Sequence, residues 1–228
     1  PVAPITGGTT GIGFATAHLL HEQGYAVLAT GQNPDTIAAA KKKLPGEVAV
    51  IRSDSRSVAE ATRLSEELKS RFGKVVFAYF NAGVSRMLPI EQVDEAFFDD
   101  HFDTNVKGQF FTLQKILPLF VKGGSVLFTT SVGAKRGVAA YAVALATQGA
   151  TTSIVPSLAV ELAPRGIRVN AIRPGTIDTP AFDKLGLPAE VLAGFRQMIP
   201  QRVPAGRFGS AEEIAEVAAF LASPAASY

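Results

Sequence analysis

Short apolar segments rich in β-branched residues alternate along the chain with longer segments of helical character. The short segments, which we predict to be strands, are residues 2–6, 26–30, 48–52, 75–80, 124–130 and 167–172. The longer segments, which we predict to be helices, are residues 12–22, 35–44, 57–71, 94–120, 142–163 and 210–222. Buried strands separated by helices pair in parallel through right-handed crossovers. The pattern therefore predicts an α/β fold, a doubly wound parallel sheet with helices on both faces.

Composition indicates one compact domain. Apolar residues make up 47% of the 228 residues and charged residues 18%, and no repeat or linker interrupts the chain, so we predict a single domain over residues 1–228. A net charge of +2 without a basic stripe argues against a nucleic-acid partner. The absence of Cys excludes disulfides and thiolate metal sites. No run approaches the ~18 apolar residues of a membrane helix, so we expect a cytoplasmic protein without a membrane partner.

A glycine-rich turn joins the first predicted strand to the first predicted helix. Its sequence is Thr-Gly-Gly-Thr-Thr-Gly-Ile-Gly over residues 6–13. Gly7 permits a tight turn, Gly11 lets the backbone approach a pyrophosphate, and Gly13 lets the helix pack closely on the sheet. The free N–H groups and positive dipole end of the helix then receive the phosphates. Such a turn alone is weak evidence, but its position inside a strand–helix–strand unit predicts a dinucleotide site.

The end of the second predicted strand bears on the choice of cofactor. Proteins that bind NAD usually place an acidic residue there, which accepts hydrogen bonds from the adenosine ribose. This chain has Thr30-Gly31-Gln32-Asn33, with no acid to repel a 2′-phosphate and no Arg to bind it. Gln32, Asn33 and Thr10 can donate neutral hydrogen bonds, which are weaker than charge-assisted ones. We therefore predict NADP as the cofactor, with NAD as the alternative.

Further motifs follow in order along the chain. Asp54 follows the third predicted strand, Asn81-Ala82-Gly83 follows the fourth, and Asn105-Val-Lys-Gly108 lies in the long fourth helix. Ser131 ends the fifth strand, and Arg173-Pro174-Gly175 with Thr179 follows the sixth. Together with the glycine-rich turn, these motifs resemble those of the short-chain dehydrogenase/reductase family over essentially the whole chain. The resemblance implies a Rossmann-fold oxidoreductase that acts on a carbonyl or alcohol group of a small molecule and assembles as a homo-oligomer, a dimer or tetramer.

The resemblance also implies the residues of the site. The predicted cofactor-binding residues are Gly7, Thr9, Thr10, Gly11, Ile12, Gly13, Gly31, Gln32, Asn33, Asp54, Ser55, Asn81, Ala82, Gly83, Pro174, Gly175, Thr176, Ile177 and Thr179. The predicted catalytic residues are Ser131, which in the family polarises the substrate oxygen, and Asn105, which holds a water in the proton relay. We predict no metal site, because His18 and His21 lie three residues apart without a third ligand.

The proton-transfer pair of the family is absent from the expected positions. In the family a Tyr supplies the proton, and a Lys four residues later lowers the pKa of that Tyr and binds the nicotinamide ribose. The family spacing from Ser131 places these positions at Ala144 and Gln148, neither of which can do this chemistry. Tyr141 is the one nearby substitute, and lining of the pocket is the alternative interpretation of that residue.

Four other features carry expectations about the structure. Pro4 lies in the first predicted strand, where it removes a ladder hydrogen bond, and Pro156 lies inside a predicted helix, which it should kink or break. The chain ends at Tyr228, where the family continues into a seventh strand, so we expect the last strand of the sheet to be missing. Residues 180–200 resemble the family's substrate lid, and their apolar side chains suggest a hydrophobic substrate.

Two functions are compatible with this sequence. The first is an NADP-dependent short-chain dehydrogenase/reductase with impaired or altered acid–base chemistry. The second is a catalytically silent NADP-binding protein with a sensing or subunit-pairing role. The family favours the first, and positions 144 and 148 lead us to expect little ordinary carbonyl reduction. The sequence does not specify the substrate or the direction of the reaction.

Overall fold

A computed structural model describes residues 1–228 as a six-stranded, fully parallel sheet with helices on both faces. The strands are β1 (Val2–Thr6), β2 (Ala26–Gly31), β3 (Ala49–Arg52), β4 (Val75–Phe80), β5 (Phe120–Thr129) and β6 (Arg168–Ile172). Their order in the sheet is β3-β2-β1-β4-β5-β6. The predicted doubly wound α/β fold is confirmed, and β6 forms one edge of the sheet.

Eight α-helices connect and cover the strands. They are α1 (Gly11–Glu22), α2 (Pro34–Lys43), α3 (Val58–Arg71), α4 (Glu95–Phe102), α5 (Gln109–Ile116), α6 (Ala142–Leu162), α7 (Ala189–Arg202) and α8 (Ala211–Ala222). Helices α1, α2 and α8 form one core with the sheet, and α3, α5 and α6 form a second core on the opposite face. Leu20 and Leu68, one in each core, are completely buried, and such burial stabilises the fold by ~1.5–3 kcal/mol per side chain.

The long helix expected over residues 94–120 is divided into two. A π-helical segment, Asp103–Gly108, separates α4 from α5, and a short 3-10 turn with Pro118 ends the unit before β5. Within the π-helical segment, the carbonyl of Asn105 accepts the Thr151 hydroxyl from α6 at 3.2 Å. Side-chain hydrogen bonds to the helix backbone accompany local distortions of this kind. Hydrophobic periodicity does not distinguish a π turn from an α-helix, so the sequence did not predict the division.

Pro4 lies inside the first strand, as the sequence predicts. Pro4 is buried in β1, and the β1–β4 ladder shifts register between the Val2–Val75 and Ile5–Tyr79 pairs. The N–H of Val2 donates to the carbonyl of Lys74, just before β4. The N–H groups of alternate residues in a strand point to the same side, so an N–H at Pro4 would also face β4. Its absence coincides with the register shift. The pairing of β1 with β2 is regular.

Pro156 was expected to kink or break its helix. Helix α6 continues through Pro156, so the break does not occur. Pro156 is exposed, so its ring meets solvent while the missing N–H leaves the carbonyl of Thr152 without its helical donor. The segment 142–165 is also long and apolar enough to span a membrane by length and composition alone, which corrects the expectation that no run approaches that size. Here it packs against β6 as a helix of the α/β fold.

Candidate functional site

A cleft opens at the carboxyl ends of the strands, where the strand order reverses between β1 and β4. In open α/β sheets this reversal creates a crevice for ligands. One part of the cleft, the α6-side compartment, has a volume of about 230 Å³ and includes Gln148 and Thr151 in its wall. The other part, the β2-side compartment, has a volume of about 580 Å³ and includes Gln32 and Asp54. The two compartments share wall residues and form one elongated site.

The glycine-rich turn forms the floor that both compartments share. Gly7 has a φ of +64°, a backbone conformation that residues with a side chain rarely adopt. A Cβ at this position would also lie 2.8 Å from the backbone of Ala82, which is too close. Gly13 lies against the backbone carbonyl of Gly7, which leaves no room for a Cβ. These contacts let α1 begin close behind β1.

The first turn of α1 has free hydrogen-bond donors facing the cleft. Thr10, at the N-cap, makes no side-chain cap hydrogen bond, and the first turn carries no acidic residue. By contrast, Asn33 caps α2, Ser57 caps α3 and Ser210 caps α8. The N–H groups at the start of α1 are therefore available to an anion, and the helix dipole favours one there.

Hydrogen bonds join the ends of β1 and β4 beneath the cleft. The Thr6 hydroxyl accepts the backbone N–H groups of Asn81 and Ala82, each at 3.1 Å. The Asn81 amide donates to the carbonyl of Gly7 at 3.3 Å and accepts the Thr129 hydroxyl at 3.0 Å. The Asn-Ala-Gly turn after β4 thus fixes the position of the glycine-rich turn after β1.

Charge pairing neutralises the acids of the β2-side compartment. The Asp54 carboxylate accepts hydrogen bonds from Gln32 at 3.0 Å and from Arg56 at 2.8 Å. The hydrogen bond from the Arg56 side chain is the main reason that the pKa of Asp54 is lowered. Arg56 also contacts Asp100, which in turn pairs with Arg86. Asp54 is therefore a carboxylate at neutral pH, and its charge is balanced by a neighbouring guanidinium.

Two buried side chains hold the loop that follows β4. Asn105 is 2% exposed, and its amide donates to the carbonyl of Val84 and accepts the N–H of Val84, both at 2.8 Å. His101 is fully buried, and its Nε2 accepts the N–H of Arg86 at 3.1 Å. Its Nδ1 lies 2.7 Å from the carbonyl of Phe97, which requires the neutral tautomer with the proton on Nδ1. Burial is the main cause of the lowered pKa of His101.

The wall formed by α6 is polar and uncharged. Ala144 is 1% exposed, and its carbonyl accepts the hydroxyl of Thr147, which in turn accepts the second N–H of Asn105. Gln148 lines the compartment, and its Oε1 is buried without a protein partner. The same holds for Oε1 of Gln109, whose Nε2 donates to the carbonyl of Ala82. The amide of Asn105 is thus bound to protein groups, and the two Gln oxygens remain to accept hydrogen bonds.

Most of the predicted site residues lie together in this cleft. Those in its walls are Gly7, Thr9, Thr10, Gly11, Ile12, Gly31, Gln32, Asn33, Asp54, Ser55, Asn81, Ala82, Gly83, Asn105 and Thr179. Gly13 lies behind the turn, and four others lie in the loop after β6 outside the cleft walls: Pro174, Gly175, Thr176 and Ile177. Ser131 lies two residues after β5 and is not among the residues of the cleft walls; its Oγ accepts the N–H of Gly133 at 3.0 Å, so it caps a short turn. The roles of these residues stay predictions.

Sequence reasoning missed several residues of the cleft. Ser85 lines both compartments, and Gln109 lines the α6-side compartment. Ser85 lies two residues after the Asn-Ala-Gly motif and Gln109 directly after the Asn-x-x-Gly motif, and these places were signals that could have identified them. His101 is a further residue that sequence analysis does not single out, because nothing in the local sequence distinguishes a buried His from an exposed one. No cluster of three or more potential metal ligands occurs.

The segment between β6 and α8 lies over one side of the cleft. A β-bridge between Ile177 and Gly209 joins the two ends of the segment. The N–H of Met87 donates to the carbonyl of Leu185 at 2.7 Å, which ties the segment to the loop after β4. Arg196 on α7 pairs with Asp178 and Asp183. These contacts hold residues 178–196 as one folded cover.

Comparison with known proteins identifies the family. A family model described as enoyl-(acyl carrier protein) reductase matches residues 7–228. The chain is 34% identical over 229 residues to the oxidoreductase asL5 of Sarocladium schorii, with 99% of this chain and 90% of that protein covered. It is 32% identical over 232 residues to the 3-oxoacyl-(acyl-carrier-protein) reductase FabG of Thermotoga maritima, with coverage of 100% and 92%.

Solved structures give the same result. A short-chain dehydrogenase/reductase from Brucella melitensis aligns with a TM-score of 0.91 at 32% identity, covering 99% of this chain and 90% of that one. A 3-ketoacyl-(acyl-carrier-protein) reductase from the same organism, complexed with NADH, aligns with a TM-score of 0.90 at 30% identity, covering 99% and 92%. The chain therefore belongs to the short-chain dehydrogenase/reductase family of oxidoreductases.

The residues present fit the nicotinamide dinucleotide that the family binds. The turn at Gly7 has no room for a side chain, and the uncapped start of α1 offers N–H donors for a pyrophosphate. At the other end, the buried oxygens of Gln109 and Gln148 lack the donors that ribose hydroxyls would supply.

The buried His101 predicts a pH dependence of stability. Because its pKa is lowered in the folded state, the unfolded chain takes up a proton first as the pH falls below the unperturbed value of about 6.5. The free energy of unfolding should therefore decrease from about pH 6.5 downward, by at most about 1.4 kcal/mol per pH unit from this group. In His101→Gln that part of the slope should disappear, as measured by urea unfolding at a series of pH values. Equal slopes for the two proteins would contradict this assignment.

Proposed function

We propose that this protein is an NADP-dependent reductase of the short-chain type whose acid–base groups differ from those of the family. The observation that carries the proposal is one continuous cleft that joins the glycine-rich turn, the uncapped start of α1 and a polar wall from α6. In that wall the positions that resemble the family's Tyr and Lys are Ala144 and Gln148. The proposed substrate is a small molecule with a carbonyl or alcohol group, and we place the protein in the cytoplasm.

The chain's own groups have distinct tasks in this proposal. When bound, the nicotinamide supplies or accepts a hydride. The start of α1 holds the pyrophosphate, and the oxygen of Gln148 accepts a hydrogen bond from the nicotinamide ribose without supplying a charge. Ser131 polarises the substrate oxygen, and Asn105 fixes the loop at Val84 that borders the compartment. Pro180 and Ala181 of the cover border the α6-side compartment, where apolar groups exclude water and favour a hydrophobic substrate.

The β2-side compartment supports the choice of NADP. Gln32 is exposed at the end of β2, where NAD-binding proteins usually carry an acid. The carboxylate that Gln32 contacts, Asp54, is paired with Arg56, so its charge is compensated. A 2′-phosphate near Gln32 therefore meets neutral hydrogen-bond donors and no uncompensated acid.

The cofactor assignment predicts the response to ligands. At about 100 times its dissociation constant, NADPH should raise the melting temperature by roughly 5–11 °C, and NADH at the same concentration should raise it less. In Gln32→Asp the shift with NADPH should shrink and that with NADH should remain, because a carboxylate repels the 2′-phosphate. Glu66→Asp, at an exposed position of α3, is the control: it adds no acid to the protein and should leave both shifts unchanged. A larger shift with NADH than with NADPH in the wild type would contradict the assignment.

One observation favours a second function. Ala144 is buried and can transfer no proton, and Gln148 carries no charge to lower the pKa of a neighbour. A protein that binds the cofactor without turnover would have the same cleft and could serve in sensing or in pairing with an active subunit. General acid–base catalysis contributes roughly 10²–10⁴ in rate, so the two functions are separated by measurable activity.

Restoring the pair tests whether it limits turnover. The double variant Ala144→Tyr/Gln148→Lys should reduce a broad panel of ketones roughly 10²-fold or more faster than the wild type. Gln148→Lys alone is the matched control and should give no comparable gain, because it adds a charge without a proton donor. No gain in the double variant, in a protein that still binds NADPH, would show that the pair is not what limits the rate.

An apolar face supports the predicted homo-oligomer. Phe98, Phe110 and Val160 are 43%, 39% and 77% exposed on α4, α5 and α6. A pocket is bordered by Phe102 of α4, Phe110 of α5 and Ile154 of α6. Exposed apolar faces of this kind mark interaction surfaces. We propose that two copies pair through this face, which also accounts for the apolar composition of α6.

Sedimentation velocity tests this assembly. The wild type should sediment as a dimer, twice the chain mass of 23.9 kDa, or as a tetramer. The variant Phe110→Glu/Val160→Glu should sediment as a monomer, because two charges in an apolar interface are costly. Ile90→Glu, at a site 75% exposed outside this face, is the control and should not change the mass. A monomeric wild type at micromolar concentration would contradict the proposal.

A further inference from the structure

A pair of hydroxyl groups lies where the loop after β4 meets the start of α6. The Tyr141 hydroxyl is hydrogen-bonded to Oγ of Ser85. Tyr141 is the N-cap residue of α6 and lies behind the cleft wall, whereas Ser85 lines both compartments. The pair therefore connects a partly buried phenol to the space in which substrate and cofactor would lie.

The backbone on both sides of Ser85 is fixed by buried groups. Asn105 binds the residue before Ser85, and His101 binds the residue after it. Both side chains are at least 98% buried and come from the helical unit that packs behind the loop. Ser85 is thus held by contacts that do not use its own hydroxyl.

The backbone that carries Tyr141 is fixed as well. Ala140 has a φ of +60° and is the one residue other than Gly with positive φ. Its carbonyl accepts the N–H of Leu88 at 2.7 Å, which ties the start of α6 to the loop of Ser85. A left-handed Ala is strained, and residues held in such conformations cluster at functional sites.

The ionisable side chains of the cleft walls are committed or distant. Asp54 is paired with Arg56, and Asp100 is paired with Arg56 and Arg86. Lys184 lines the β2-side compartment only. A second hydroxyl–phenol pair, Thr129 with Tyr79, also borders the α6-side compartment, but Tyr79 is completely buried and the Thr129 hydroxyl also contacts Asn81. The Ser85 hydroxyl has Tyr141 as its one protein partner, so this is the pair whose proton is free to serve the compartment.

The direction of the hydrogen bond follows from acidity. A phenol is a stronger acid than an aliphatic hydroxyl, so Tyr141 donates to Ser85 and leaves the proton of Ser85 free to rotate toward the cleft. Burial is the main cause of the raised pKa of Tyr141, so the phenol keeps its proton at neutral pH.

We propose that Ser85 protonates the substrate oxygen during carbonyl reduction and that Tyr141 is the proton source behind it, an inference that rests on the proposed function. As the carbonyl carbon receives a hydride from the reduced nicotinamide dinucleotide, a C–H bond forms and the π pair of the carbonyl moves to oxygen. That oxygen takes the proton of Ser85, Ser85 takes the proton of Tyr141, and the phenolate regains a proton from water. The carbonyl is reduced to an alcohol and the dinucleotide is oxidised.

Three variants test this relay. Tyr141→Phe and Ser85→Ala should each lower kcat for ketone reduction roughly 10²-fold with KM unchanged, and the double variant should be no worse than either single one. Ser85→Thr, which keeps the hydroxyl, should retain the rate. Tyr25→Phe removes a phenol that lies outside the cleft walls and, as the control, should not change the rate. The solvent deuterium isotope effect on kcat should change in Tyr141→Phe, and NADPH binding, followed by its fluorescence, should not.

The outcomes separate the relay from the proposed function. Unchanged turnover in Tyr141→Phe, or in Ser85→Ala, with NADPH still bound would overturn the relay and leave the proposed function standing. A wild type that binds NADPH but reduces no ketone of the panel would overturn the relay and favour the silent protein. A wild type that binds neither dinucleotide would overturn the proposed function and the relay with it.

Discussion

The join between the carboxyl ends of β1 and β4 is the contact on which the cleft depends. Thr6 accepts two backbone N–H groups from the turn after β4, and Asn81 returns a hydrogen bond to Gly7. Because the strand order reverses here, the two turns face one crevice rather than opposite sides of the sheet. The glycine-rich turn can then place the uncapped start of α1 against that crevice. Loss of this join would separate the glycine-rich turn from the end of the cleft formed by α6.

The fold and the geometry of the glycine-rich turn could be predicted because they depend on local patterns. Strand–helix alternation determines a parallel sheet, and Gly7 and Gly13 are required by contacts within one turn. The features that sequence analysis missed depend on contacts between distant segments. His101 and Gln109 flank the π-helical segment, which has no periodic signature, and they contact Arg86 and Ala82, which lie 15 and 27 positions away in the sequence. The pairing of Ser85 with Tyr141 joins residues 56 positions apart.

The two ends of the cleft differ in how far they match the family's chemistry. The end formed by the glycine-rich turn has the residues the family pattern calls for, whereas the α6 wall has a methyl group and an amide, from Ala144 and Gln148, where a phenol and an ammonium are expected. A neutral wall can still bind a ribose, because buried oxygens accept hydrogen bonds without a charge. Proton transfer is then left to groups outside the expected positions, and the buried supports of the loop after β4 give Ser85 a fixed place. In the proposed function, cofactor binding and proton transfer therefore depend on different residues.

A crystal structure of the complex with NADPH tests this account most directly. The account predicts that the pyrophosphate lies against the N–H groups at the start of α1, with the 2′-phosphate beside Gln32. It also predicts that the nicotinamide ribose lies within hydrogen-bond distance of Gln148, with Ser85 facing the space beside the nicotinamide. A dinucleotide bound with its pyrophosphate away from α1, or a nicotinamide end placed outside the α6-side compartment, would contradict it.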